Sequence, residues 1–253
     1  MKLSVIVPCY NFEKFIDTTI LSIITQVTNF EYELIIIDDC STDCSFERIR
    51  NLSWLKKFGN IYGENVTIIQ NEKNLGVFET IKKLHDIASG EYIAFLDGDD
   101  YWVDNYKLQR QVDFLDSNPD FIMCFDGYIQ DKGGCEFIPN IEYNWLCNVI
   151  DSDVITTEDF LIKNPVSTAT KMYRSTPNIF QESYKNVKFL DWVINFELSK
   201  YGKTKYMDTV SAVYRAYGHG VMSSLTYDEL VVETEKTRKI INEEYIRWKQ
   251  ITE

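Results

Sequence analysis

Four predominantly apolar runs, three of them answered by a stretch of helical spacing, constrain this 253-residue chain more than any other feature. Leu3 to Val7 runs into Pro8-Cys9-Tyr10-Asn11, after which Phe12, Phe15, Ile16, Ile20, Ile23 and Ile24 recur at the spacing of one helix face. Tyr32 to Ile37 ends in Asp38-Asp39-Cys40-Ser41-Thr42-Asp43, a Ser/Thr/Asp cluster suited to capping the next helix. Val66 to Ile69 leads through Asn71-Glu72-Lys73-Asn74-Leu75-Gly76 to a helix with Val77, Ile81, Leu84 and Ala88 on one face, closed by Gly90. The fourth run, Tyr92-Ile93-Ala94-Phe95-Leu96, stops at Asp97-Gly98-Asp99-Asp100. Strands that are apolar on both faces need cover on both faces, so the alternation predicts a parallel sheet with right-handed crossovers and flanking helices. All four strands then end on one edge.

That edge is where open α/β sheets hold ligands, and it would collect Tyr10, Asp39, Gly76 and Asp97 to Asp100. Three carboxylates in four residues repel one another unless something positive sits among them. A hard divalent cation shared with substrate phosphates meets that need. The pattern predicts a metal and diphosphate site, although the same residues alone would also make an ordinary Asp/Gly turn.

A hydrophobic content of 45% is enough for one large domain or two half-domains sharing a core. A net charge of -13 with no basic run excludes a general nucleic-acid binder. The opening apolar stretch is too short for a signal-peptide core and no later segment reaches the length of a membrane span, which points to the cytoplasm. Cys9, Cys40, Cys44, Cys124, Cys135 and Cys147 show no paired spacing and read as free buried thiols without a role. Trp54, Leu55 and Phe58 suggest extra packed structure between the second helix and the third strand. After a helix around Leu108, Val112 and Leu115 the alternation gives way to short strands and turns such as Asp131-Lys132-Gly133-Gly134, expected to form a different layer. From Asp228 a charged helix carries Leu230, Thr234, Thr237, Ile241 and Tyr245 as a partial apolar face against the body or a partner. The expected divisions are 1–116, 117–225 and a helical extension 226–253.

S-V-I-V-P-C-Y-N at Ser4 to Asn11, E-L-I-I-I-D-D-C-S-T-D at Glu33 to Asp43, N-x-G at Asn74 to Gly76 and Y-I-A-F-L-D-G-D-D at Tyr92 to Asp100 together resemble the N-terminal half of family 2 glycosyltransferases. Fainter echoes follow at Asn164 to Arg174, Leu190 to Trp192 and Val213 to Ser223. The resemblance implies a GT-A fold: a Rossmann-like, mainly parallel central sheet flanked by helices, with a smaller acceptor-side region and a C-terminal helix. It implies that Pro8, Tyr10 and Asn11 line a nucleobase pocket, with the Tyr10 ring available to stack. Asp39 would accept from the imide N–H of uracil or thymine, since a carboxylate is acceptor-only and rejects a base lacking that donor. Asp38 reads as a cap.

The resemblance further implies that Asp97 and Asp99 are the D-x-D pair, with Asp99 expected on the metal, Asp97 on ribose or a metal-bound water, and Asp100 behind them. Gly76 either lets the loop pass close to the donor or supplies a positive φ. Asp191, near the start of a helix in the second half, takes the place of the catalytic base by analogy, although Leu190 stands where many relatives have an acidic residue or glycine. A helix-dipole carboxylate is the alternative reading of Asp191. Relatives often carry Y-R-x-H; this chain reads Tyr214-Arg215-Ala216-Tyr217, with His219 two places later. His219 is either a ligand of the metal or diphosphate or an ordinary loop histidine. Arg215 would counter the diphosphate or form a salt bridge. His85 is expected on the solvated surface.

The family's chemistry would be direct displacement with inversion, dependent on Mn²⁺ or Mg²⁺, from a nucleoside diphosphate sugar, UDP-sugar foremost. The acceptor would be an oligosaccharide, lipid-linked or other glycan in surface polysaccharide synthesis at the inner face of the membrane. Peripheral membrane association and a homo-oligomer through the C-terminal helix belong to the same expectation. A sugar nucleotidyltransferase should show a Gly-rich triphosphate loop where this chain has P-C-Y-N-F-E-K. An inactive GT-A binding module should have lost its D-x-D or base, and both candidates remain. A phosphoacceptor domain would explain Asp38-Asp39 but not the second half.

Overall fold

The computed structural model describes residues 1–51, 65–133, 137–139, 153–216 and 224–252. Each apolar run is a strand: β1 (Leu3–Cys9), β2 (Tyr32–Asp38), β3 (Val66–Gln70) and β4 (Tyr92–Phe95). They lie parallel in the order β3-β2-β1-β4. The intervening helices are α1 (Ile16–Ile24), α2 (Ser45–Arg50) and α3 (Val77–Ile87). Then come β5 (Tyr101–Trp102), α4 (Lys107–Ser117), β6 (Phe121–Asp131), β7 (Phe137–Pro139), β8 (Val154–Ile155) and β9 (Lys171–Arg174). α5 (Leu190–Ser199), β10 (Lys203–Arg215) and α6 (Tyr227–Thr252) complete the order.

The sheet is the middle layer. Leu3, Val5 and Val7 point into a cluster with Ile16, Ile20, Leu108 and Val112, whereas Ile6 joins Ile81, Leu84, Val193 and Phe196 on the other face. This is the period-two alternation of a strand buried twice over.

The second half is not a separate layer. β9, β6, β10 and β5 extend the same sheet beyond β4, with β9 antiparallel to β4 and β6, and β6 parallel to β10. Antiparallel neighbours need no helical crossover, so these strands leave no βα rhythm in the sequence while still pairing the open edge of β4.

α3 also differs in detail. Phe78 is buried and Val77 is 53% exposed, and Ala88 is already extended, so Gly90 does not cap the helix. α6 packs on the body: Ile241 and Thr237 are buried, and the Tyr245 hydroxyl donates to Glu158 at 2.9 Å. Among the described residues no helix is long and apolar enough to cross a membrane. Cys9 and Cys124 are buried free thiols, Cys40 is partly exposed and Cys44 exposed. Trp54, Leu55, Phe58, Gly134, Cys135, Cys147 and His219 lie outside the described residues.

Candidate active site

The loops leaving the carboxyl ends of β1, β2 and β4 are bonded to one another. Asn11, at φ 59°, donates its backbone N–H to Ser41 Oγ at 2.9 Å and accepts the Thr42 N–H on its side-chain oxygen at 2.8 Å. The Gly98 N–H donates to the Pro8 carbonyl at 3.1 Å. From below, the buried Thr19 hydroxyl of α1 lies 2.9 Å from the Gly98 carbonyl and 2.7 Å from that of Asp100. Pro8, Tyr10, Asn11, Asp39, Gly76 and Asp97 to Asp100 therefore share one edge, and the Tyr10 side chain is 40% exposed there.

The two aspartates after β2 have separate duties. Asp38 closes its own turn, accepting the Ser41 hydroxyl at 2.5 Å and the Ser41 N–H at 3.0 Å. Asp43, not Asp38, serves α2, accepting the Ser45 N–H at 2.9 Å. Asp39 reaches across to the loop after β3. Its Oδ1 accepts the Leu75 N–H and Asn71 Nδ2, each at 2.8 Å, and its Oδ2 accepts the Gly76 N–H at 2.9 Å. Gly76 adopts φ +83°, which glycine takes without a Cβ penalty. A carboxylate offers about four acceptor positions, so three protein donors leave room for one more on Oδ2.

The loop after β4 concentrates negative charge. Burial, the Asp99 charge and the Asp191 charge push the Asp97 carboxyl up to about 7, against the pull of Lys171. Asp100 is buried and raised well above the carboxylate range by burial and by Asp99; its Oδ1 accepts the Arg215 N–H at 2.8 Å, while its Oδ2 has no hydrogen-bond partner among the described residues. The Arg215 guanidinium donates to the Asp99 carbonyl and lies over the rings of Phe15 and Tyr101, so it clamps this loop.

Asp191 sits in the first turn of α5, partly buried, and burial raises its carboxyl while Lys171 lowers it. Asn164 Nδ2 donates to its Oδ2 at 2.7 Å. Asn195, one turn further along the same helix, donates to Asn164 Oδ1 at 3.0 Å and accepts Lys171 Nζ at 2.7 Å. Lys171, Asn164 and Asn195 were not singled out by sequence reasoning. A buried asparagine four residues after Asp191 was the available signal.

His85 is not the solvated histidine expected from its charged helix. Its Nε2 lies 2.6 Å from the Tyr173 hydroxyl and its ring stacks on Tyr173, while burial and Lys171 push it down to about 3.

Among the described residues no three His, Cys, Asp or Glu side chains are grouped to hold a metal by themselves. One or two carboxylates with substrate phosphates and water are nonetheless the usual donor set for Mg²⁺, and Asp97 with Asp99 supplies those hard oxygens. The unpartnered Asp100 Oδ2 and the raised Asp97 carboxyl mark a site short of positive charge, which fits a divalent cation.

Known proteins resemble this chain in sequence and in fold. The Glycosyl transferase family 2 profile matches residues 4–177. An uncharacterized protein of Mycobacterium bovis is 30% identical over 230 residues, 89% of this chain and 62% of its own length, so the chain spans under two thirds of that relative. The Escherichia coli UDP-Glc:alpha-D-GlcNAc-diphosphoundecaprenol beta-1,3-glucosyltransferase WfaP is 29% identical over 244 residues, 94% of this chain and 86% of its own. The crystal structure of S. aureus TarS 1-349 in complex with UDP-GlcNAc superposes with a TM-score of 0.65 at 23% identity, covering 89% of this chain and 62% of that one. The mannosyltransferase PcManGT from Pyrobaculum calidifontis, in complex with GDP-Man and Mn2+, gives a TM-score of 0.64 at 17% identity, covering 88% and 59%. With the family profile spanning more than half of its length, this chain belongs to Glycosyl transferase family 2.

Proposed function

We propose that the chain transfers a sugar from a nucleoside diphosphate sugar, UDP-sugar foremost, to a hydroxyl of a glycan or lipid-linked acceptor, with inversion at the anomeric carbon. One observation carries the reading: β9 pairs with β4, the strand that ends in the D-x-D loop, and Lys171 of β9 donates to Asn195 of α5, the helix whose first turn carries Asp191, so the base is held against the strand beside that loop. A base and a diphosphate site thus adjoin, as direct displacement requires. Asp191 takes the proton of the acceptor hydroxyl, the oxygen attacks the anomeric carbon, and the carbon–oxygen bond to the diphosphate breaks as the nucleoside diphosphate leaves.

Pro8, Tyr10 and Asn11 flank the base, and the fourth acceptor position of Asp39 meets the imide N–H. Asp99 would hold Mn²⁺ or Mg²⁺ and Asp97 the ribose or a metal-bound water; the ion, when bound, neutralises charge developing on the diphosphate. Residues 1–116 serve the donor, 117–225 the acceptor, and acceptors of the lipid-linked kind place the work at the inner face of the membrane. The UDP-Glc and UDP-GlcNAc named for WfaP and TarS support the choice of uridine.

Calorimetry with UDP, dTDP and GDP, with Mn²⁺ and then chelator, tests this on wild type and Asp99→Ala. Metal-dependent binding of UDP that the substitution abolishes is expected. Absence of binding by every nucleotide would overturn the reading.

A further inference from the structure

We infer that Lys171 is a positioning residue for Asp191, acting through Asn195 and Asn164; this rests on Asp191 being the base. Lys171 lies on β9 and is 2% exposed. Its Nζ donates to Asn195 Oδ1 at 2.7 Å; Asn195 Nδ2 donates to Asn164 Oδ1 at 3.0 Å and to the Val166 carbonyl at 3.2 Å; Asn164 Nδ2 donates to Asp191 Oδ2 at 2.7 Å. Every donor in the series points the same way, from a buried ammonium to a carboxylate. Hydrogen bonds aligned in this sense polarise one another, so the last is stronger than an isolated amide would make it.

The fold does not need this charge. Lys171 makes no ion pair among the described residues, and the rings of Phe95 and Tyr173 lie 5.9 and 5.7 Å from its Nζ. A buried ammonium without an ion-pair partner is costly, so its retention beside Asn195 calls for a role besides packing. Among the described residues, the charged groups that act on Asp191 are Asp97, from the loop after β4, and Lys171 itself, from β9. The acid would push the base toward its protonated, idle form; Lys171 opposes it without contacting either carboxylate, and the two amides fix which way the Asp191 carboxylate turns. Because Asp191 and Asn195 are one turn apart on α5, the relay also locks the helix start to the segment at Asn164.

The test follows the carboxyl carbon of Asp191 by ¹³C NMR across pH in the whole chain with Mg²⁺, the signal assigned by its loss in Asp191→Asn. Wild type, Lys171→Met, Asn164→Leu and the double variant are compared, with UDP affinity and Tm measured on each. The Asp191 midpoint is expected to rise by about one pH unit in Lys171→Met, as loss of a nearby cation and of the polarisation it imposes on the relay requires. Asn164→Leu, which breaks the relay but keeps the ammonium, should shift it in the same direction. The double variant should shift no further than the larger single one, because the residues act as a unit. UDP affinity should hold, and Tm should fall modestly in Lys171→Met, because the buried Asn195 Oδ1 loses its donor. A midpoint unmoved in both single variants, or shifts that add independently, would overturn the relay. Failure of wild type to bind UDP would instead sink the transferase reading, whatever the titration shows.

Discussion

The backbone N–H of Arg215 donates to Asp100 Oδ1 at 2.8 Å, tying the end of β10 to the loop that carries Asp97 and Asp99. The guanidinium completes the hold, donating to the Asp99 carbonyl with its centre 5.0 and 4.4 Å from the rings of Phe15 and Tyr101. Arg215→Ala is expected to cost about 1–2 kcal/mol of stability and to weaken Mn²⁺–UDP binding about tenfold, because the loop loses its clamp. Arg215→Lys keeps the charge but not the planar fork, and should resemble alanine. Full affinity in the lysine variant, read by calorimetry, would show that charge on the diphosphate is what counts.

Asp39 holds the loop after β3 through three donors, from Leu75, Gly76 and Asn71. Asparagine at this position has one acceptor oxygen and a donor group that cannot receive an N–H. Asp39→Asn should therefore set an NH2 group against the Gly76 N–H, leaving that donor only Asn74 Oδ1 at 3.0 Å, and cost about 1–3 kcal/mol. It should also erase the preference for UDP over CDP, because cytosine presents an acceptor where uracil presents its imide N–H. Melting curves and paired titrations check both. A variant that keeps full discrimination would remove Asp39 from base recognition.

Strands β1, β2 and β4 were legible because each is largely buried, which forces mostly apolar runs whose ends mark the ligand edge, and the partly buried edge strand β3 kept enough of the pattern to be read with them. The partners of Asp191 were not, because Lys171, Asn164 and Asn195 come from three segments joined by the antiparallel pairing of β9 with β4 and by the packing of α5, neither of which imposes a period. His85 misled through its neighbours. Lys82, Lys83 and Asp86 suggest a solvated helix face, yet His85 is four residues after Ile81 and seven after Phe78, on the side that packs inward. Gly90 misled in the opposite way, as a helix-ending residue whose real constraint is close approach to β1.

Burial holds His85 at about 3, whereas the unfolded chain takes up a proton near the ordinary histidine value. The unfolded state thus binds more protons below about pH 6.5, and this contribution to stability is present above that value and lost as pH falls toward 3. His85→Gln keeps an acceptor for the Tyr173 hydroxyl and abolishes the titration. Urea midpoints measured from pH 7 to pH 4 should fall more steeply for wild type than for the variant. Asp97, raised to about 7, acts with the opposite sign but is common to both chains, so the difference isolates the histidine. Parallel curves would mean that His85 takes up its proton in the folded state.

A Cβ at Gly90 would lie 2.4 Å from the Ser4 nitrogen and 2.6 Å from the Leu3 carbonyl carbon. Both are backbone atoms of β1, so no rotamer change relieves the contact; the Gly90 N–H also donates to Ser4 Oγ at 2.8 Å. Gly90→Ala must push β1 away from the start of β4, and a loss of about 3 kcal/mol is expected. The strain falls at the amino ends of the strands, whereas Asn11 and Asp97 sit at their carboxyl ends. UDP affinity per folded molecule should therefore hold while the urea midpoint drops. A midpoint within about 1 kcal/mol of wild type would show that the chain before β4 yields. Loss of affinity at full stability would mean that displacement at one end of β1 is carried to the other.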